Sequence, residues 1–194
     1  MKKLTHLPYC LIPVLLMAGC TAPSSGLNRD HEDVLNKLVG IEVNTVSDGV
    51  EVKLPESALF EFGKSALRGD AVGVLERSVV LLQRSTKPVI VNGYTDSVGT
   101  PEYNHRLSVA RANAVAGALV ARGVPAERVS AKGFAAANPV ASNDTPEGRQ
   151  LNRRTEIIVV GEAMDTLMGA GPAVQLTEPA PSRPADAAAT TPVE

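Results

Sequence analysis

Tryptophan is absent from this chain of 194 residues, and only three Phe and three Tyr occur in it. A core must therefore rest on Val, Ile, Leu and Ala, which suits a modest layer of helices on a sheet better than a deep pocket. Histidine and cysteine are equally scarce. His6, His31 and His105 are scattered and Cys10 and Cys20 are the only thiols, so the ligand spacing of a metal cluster is missing and no cofactor is expected. A basic excess is missing too. The net charge is −2, and without residues 1 to 19, whose charges are Lys2 and Lys3, 17 basic side chains stand against 21 acidic ones. Nucleic acid, which calls for a clustered positive surface, is excluded as a partner. A long apolar run is also lacking: Leu7 to Met17 is too short for a bilayer, which takes about 20 such residues.

What the first twenty residues do contain is a basic start, that apolar run, and small residues before a cysteine, the layout of a secretory signal. Leu16-Met17-Ala18-Gly19-Cys20 resembles the bacterial lipoprotein box, with Met17 where the pattern prefers Leu. The resemblance implies that residues 1–19 are removed and that Cys20 becomes the lipidated first residue. Acyl chains there would anchor the chain, since each buried methylene contributes about 0.8 kcal/mol. With Thr21 rather than Asp after the cysteine, the resemblance implies the periplasmic face of the outer membrane. Residues 20–40 read as lipidated Cys and tether, with helical spacing of Val34, Leu35 and Leu38 that fits either a short helix on the domain edge or plain linker. Cys20 to Ile41 would span on the order of 65 to 70 Å if fully extended.

The domain is expected over residues 41–161. Ile41 to Val46 and Val50 to Leu54 alternate apolar and polar residues across Ser47-Asp48-Gly49, a hairpin in which Gly49 supplies the positive φ of the turn. Apolar residues at three- and four-residue steps predict a helix from Leu67 to Arg84, weakened at Gly69 and Gly73. Pro88 to Tyr94 has the β-branched composition of a central strand. Thr100 then caps a helix from Pro101 to about Arg122, with Pro101 at its first position, Glu102 facing the positive dipole end and Gly123 closing it. Arg128 to Phe134 reads as a strand, Pro146 to Asn152 as a helical turn and Thr155 to Val160 as the last strand. The alternation predicts an α+β fold, a two-layer sandwich with helices on one face of a mixed sheet. Residues 162–194, rich in Ala, Pro and Thr, are expected to be a disordered tail, with Met164, Leu167 and Met168 able to form one amphipathic turn.

On a helical wheel Leu107, Ala110, Ala114, Ala118 and Ala121 fall in one stripe, with Arg111 about 40° from Leu107. A guanidinium beside a buried stripe needs an anion. Asp96, where the preceding strand ends, is the nearest by topology. Two readings are open from spacing: the charges pair with each other and fix the loop, or they grip a ligand bearing both an ammonium and a carboxylate.

Thr95-Asp96-Ser97-Val98-Gly99, Tyr103-Asn104, Leu107-Ser108, Arg111-Ala112, Gly148-Arg149 and Asn152-Arg153-Arg154-Thr155-Glu156 together resemble the OmpA-like peptidoglycan-binding domain, over about Leu54 to Val160. The resemblance implies a non-covalent hold on peptidoglycan through the meso-diaminopimelate of its stem peptide. Asp96 would take the ammonium and Arg111 the carboxylate. Asn104 would donate to the ligand or cap the loop, Leu107 would wall the pocket, and Arg154 would add a second cationic contact. Arg149 and Arg153 are read as solvated or paired with Asp144 and Glu147. Tyr94 stands where many relatives have His, at the expected pocket rim.

The leading reading is an outer-membrane lipoprotein that ties the membrane to the wall. The alternative is a periplasmic signalling or assembly adaptor, whose wall binding positions a surface for a protein partner. An enzyme has little support, because no paired carboxylates stand near a His and Ser97 and Ser108 have no evident base.

Overall fold

A computed structural model describes residues 26–171. The expected signal segment, Cys20 and the expected tail beyond Gly171 lie outside the described residues. Five strands make one mixed sheet: β1 (Glu42–Val46), β2 (Gly49–Pro55), β3 (Val89–Gly93), β4 (Val129–Gly133) and β5 (Arg154–Val160), in the order β1-β2-β5-β3-β4. β3 and β4 are parallel and the other neighbours antiparallel. Period-two alternation puts Val50, Val52, Leu54, Val89, Val91, Ile157 and Val159 on one fully buried face. That face is covered by α3 (Val72–Gln83) and α4 (Pro101–Val120), while Glu51, Lys53, Ile90, Asn92 and Ile158 on the other face stay half-exposed. The two-layer α+β sandwich is the one the residue pattern predicts.

The hairpin turn is tighter than expected. Val46 pairs with Gly49, so Ser47 and Asp48 alone make the turn and Gly49 opens β2. Gly49 has φ +142, and a Cβ on it would overlap the Val159 carbonyl of the neighbouring strand. Gly49 has the positive φ expected of it, and the close approach excludes a side chain there as well. The next helix starts late. Phe60 and Leu67 bridge, Arg68 is extended and paired with Asp70, and α3 begins only after a 3₁₀ turn at Gly69–Ala71.

The folded unit is wider than residues 41–161. α1 (Arg29–Leu38) is capped by the Asn28 side chain, which accepts from His31 N at 3.2 Å. Its buried Glu32 pairs with Arg77 and Arg84. α6 (Met164–Met168) buries Leu167 and Met168 completely in the core, and Arg84 donates to the Leu167 carbonyl. Two large apolar side chains thus hold as helix a stretch whose composition had placed it in the tail. Among the described residues there are also two short α-helices, α2 (Glu56–Leu59) after β2 and α5 (Pro146–Asn152) before β5, and a 3₁₀ turn at Ala126–Arg128.

Candidate functional site

α4 begins as its residues dictate: Thr100 accepts from Tyr103 N at 3.2 Å and Pro101 occupies the first turn. Its buried face differs from the expected one. Asn104, Ser108, Arg111, Ala112, Val115 and Leu119 are buried, whereas Ala110 and Ala121 are exposed. The helix is turned by about one residue, or roughly 100°, from the alanine stripe. The cause is Ser108, whose backbone and hydroxyl lie against Gly93 of β3 and Gly133 of β4, where any Cβ would overlap them. The rotation puts Ser108 and Val115 in the middle of the buried face and Arg111 inside its near edge, beside Asn104.

Arg111, 2% exposed, donates from Nε to the Lys64 carbonyl at 2.8 Å and forms an ion pair through Nη2 with Glu56 Oε1. Its guanidinium lies over the Phe60 ring, 5.3 Å from the centroid. Glu56, at the first position of α2, also accepts from Arg153 Nε at 2.5 Å. Arg153 reaches on to Asp96, with Nη1 2.7 Å from Oδ2. Asp96, 5% exposed, is held by its other oxygen, which accepts from Val98 N at 2.9 Å. Asp96 and Arg111 therefore neither pair directly nor stand alone. They are the ends of a four-member chain, Asp96–Arg153–Glu56–Arg111, in which two carboxylates and two guanidiniums alternate.

Burial pushes the Arg111 guanidinium below its ordinary value against the pull of Glu56. For Arg153 burial acts downward too, but hydrogen bonds to Asp96 and Glu56 outweigh it and raise the group. Both stay charged at any physiological pH.

The chain floors a cavity of about 170 Å³ lined by Asp96, Arg111, Asn104, Leu107, Tyr103 and Phe62, among others. Leu107 is a wall, as expected. Asn104 serves the loop: its amide donates to the carbonyls of Asp96 at 3.3 Å and Val98 at 3.1 Å. Arg154 is not part of this site. It follows the strand's alternation to the opposite face, where Nε meets Glu156 at 2.7 Å, Nη2 meets the Asn138 carbonyl at 3.1 Å, and the guanidinium stacks 3.9 Å over Tyr94. Tyr94 is likewise away from the cavity, stacked on Phe134 at 5.4 Å; burial and the Glu156 charge push its phenol up to about 12.

Sequence reasoning missed Glu56 and misjudged Arg153. Arg149 meets the backbone carbonyls of Asn143 and Asp144, and Arg153 meets neither Asp144 nor Glu147. Strand period carried the missing signal. Arg154 sits on the face of Glu156 and Ile158, so Arg153, one residue earlier, belongs on the helix-covered side with Asp96. Asn152, fully buried, completes the triplet by clamping the 140–143 loop, accepting from Val140 N and Ala141 N at 2.8 and 3.0 Å.

The family model described as OmpA family matches residues 59–153. The outer-membrane lipoprotein YfiB of Pseudomonas aeruginosa is 34% identical over 152 residues, covering 77% of this chain and 89% of that protein. The peptidoglycan-binding protein ArfA of Mycobacterium tuberculosis is 52% identical over 71 residues, 37% of this chain and 22% of that protein. Of the solved structures, the cell wall anchor of the T6SS from Pseudomonas aeruginosa superposes with a TM-score of 0.61 at 31% identity, covering 69% of this chain and 96% of that one. The chain spans 16 to 54% of the length of the first curated relatives it matches.

Proposed function

The chain belongs to the OmpA family, and from that premise we propose that its folded domain binds peptidoglycan without catalysis, through the diaminopimelate of the stem peptide. One relative is named a peptidoglycan-binding protein and one neighbour a cell wall anchor, which supports this reading. The observation that carries it is the cavity above Asp96 and Arg111, with a carboxylate at one end of its charged floor and a guanidinium at the other. A diaminopimelyl centre presents an ammonium to the first and a carboxylate to the second. Leu107 and Phe62 offer apolar walls for the methylene chain between its two ends.

The proposal extends to placement. Residues 1–19 act as signal, Cys20 carries lipid, and the domain ties the outer membrane to the wall from its periplasmic face. YfiB, which this chain covers for most of its length, is named an outer-membrane lipoprotein, and this supports the assignment.

Purified sacculi test the site. The wild-type domain should co-sediment with them, and Asp96→Ala and Arg111→Ala should stay in solution; equal sedimentation of all three would remove these residues from the site.

A further inference from the structure

Glu56 and Arg153 are the members of the charged floor that the family resemblance does not assign. Their arrangement is specific. Arg153 presents a cation to Asp96 and Glu56 presents an anion to Arg111, while the two are bonded to each other at 2.5 Å. A cation joined to an anion, set between a carboxylate and a guanidinium, is what a zwitterionic ligand would supply at the same two ends. We propose that the Glu56–Arg153 pair is a built-in stand-in for the ligand, and that its displacement makes the site selective for molecules carrying ammonium and carboxylate together. This rests on Asp96 and Arg111 being the binding residues, and adds to it two residues that determine specificity.

The charge balance gives the reason. With both ligand charges in place, Asp96 takes the ammonium and Arg111 the carboxylate, and Glu56 and Arg153 keep each other. No buried charge is left without a partner. A ligand with the ammonium alone frees Arg153 from Asp96 and brings one uncompensated positive charge into a site whose residues are nearly water-free. A ligand with the carboxylate alone does the same with a negative charge at Arg111. Leaving one member of a buried ionic network unpaired is among the larger penalties a site can impose, so singly charged ligands are rejected beyond the loss of one contact.

The surroundings allow the exchange. Arg153 is the most exposed side chain of the four, 20% against 3 to 8% for the others. Its guanidinium lies 5.4 Å from the Phe62 ring centroid, and it walls a neighbouring cavity of about 300 Å³ that Glu56, Phe62 and Arg68 also line. Arg153 can leave Asp96 toward that cavity without leaving Glu56.

The test compares three ligands on the whole lipid-free protein: a muramyl tripeptide ending in meso-diaminopimelate, the same peptide with its distal amine acetylated, and the same peptide with its distal carboxylate amidated. Titration calorimetry on wild type should show the zwitterion preferred over each modified form by about a hundredfold or more. The double variant Glu56→Gln/Arg153→Gln should bind the zwitterion about tenfold tighter, and the modified forms should gain more, narrowing the preference at least tenfold. Unchanged or weaker binding of the zwitterion by a double variant with a normal thermal melt would overturn the proposal by making the pair a buttress. Should that variant not fold, nitrogen NMR of the arginine side chains in wild type decides. The Arg153 Nε–H signal should shift on saturation with the tripeptide, and an unmoved Arg153 signal beside a shifted Arg111 overturns the exchange. Wild-type-like affinity in Asp96→Ala would instead overturn the site itself, and this proposal with it.

Discussion

Ser108 sets the distance between α4 and the sheet. Its carbonyl and hydroxyl occupy the space that side chains would take at Gly93 and Gly133, so the helix comes close enough for Arg111, one turn further on, to be sealed from water. Gly93→Ala should lower stability by about 1–3 kcal/mol in urea unfolding, because backbone on both sides must move. Gly117→Ala, on the exposed side of the same helix with nothing within 4 Å of an added Cβ, should raise it by about 0.5–1 kcal/mol. Equal effects at the two positions would mean that helix propensity, and not the contact, governs both. The triplet Asn152-Arg153-Arg154 shows the same economy of position. Three adjacent side chains go to a loop clamp, the charged floor and the opposite face of the sheet.

α1 and α6 are held to the sandwich chiefly by charge on one side and apolar burial on the other. Glu32 accepts from Arg77 and Arg84, Arg77 also donates to Asn36 at 2.6 Å, and Arg29 pairs with Asp165 across the two helices. Burial works to raise the Glu32 carboxyl, but the hydrogen bonds from Arg84 and Arg77 outweigh it and leave it below its ordinary 4.5. A carboxyl lowered on folding contributes stability that is present above its unfolded value and is lost as pH falls through its folded value. Glu32→Gln should therefore destabilise the protein by about 3 kcal/mol at neutral pH. In chemical unfolding from pH 7 to 3, the gap between wild type and variant should hold down to about pH 4.5 and close below it. A gap that stays constant to pH 3 would place its origin outside the Glu32 charge.

Over the whole molecule, the ordering of α1 shortens the proposed tether. Ten of the residues between Cys20 and Ile41 are helix packed on the domain, so at most Thr21 to Asn28 would separate a lipidated Cys20 from that helix, a reach of roughly 28 Å even if fully extended. That is less than half the span implied by an unstructured linker, so a lipid-anchored domain would sit close beneath its membrane. Cys20→Ala should move the protein from the membrane fraction to the soluble periplasmic fraction, and retention in the membrane would refute lipidation at this position.

Much of the molecule follows from local rules that the sequence carries by itself. Strand alternation, the Thr100-Pro101 helix start and the Ser47-Asp48-Gly49 stretch specify the hairpin, the α4 start and the one-sided sheet, because each depends on neighbours within a few residues. The burial of Arg111 and the place of Asp96 were legible for the same reason. The company they keep was not. Glu56 and Arg153 are 97 residues apart and meet only because β2 and β5 pair antiparallel, with Pro55 opposite Arg154. The rotation of α4 likewise depends on two glycines in two other strands. Tertiary structure decided these points because ionic contacts and close packing are set by distance in space, which strand pairing fixes and helical periodicity alone does not.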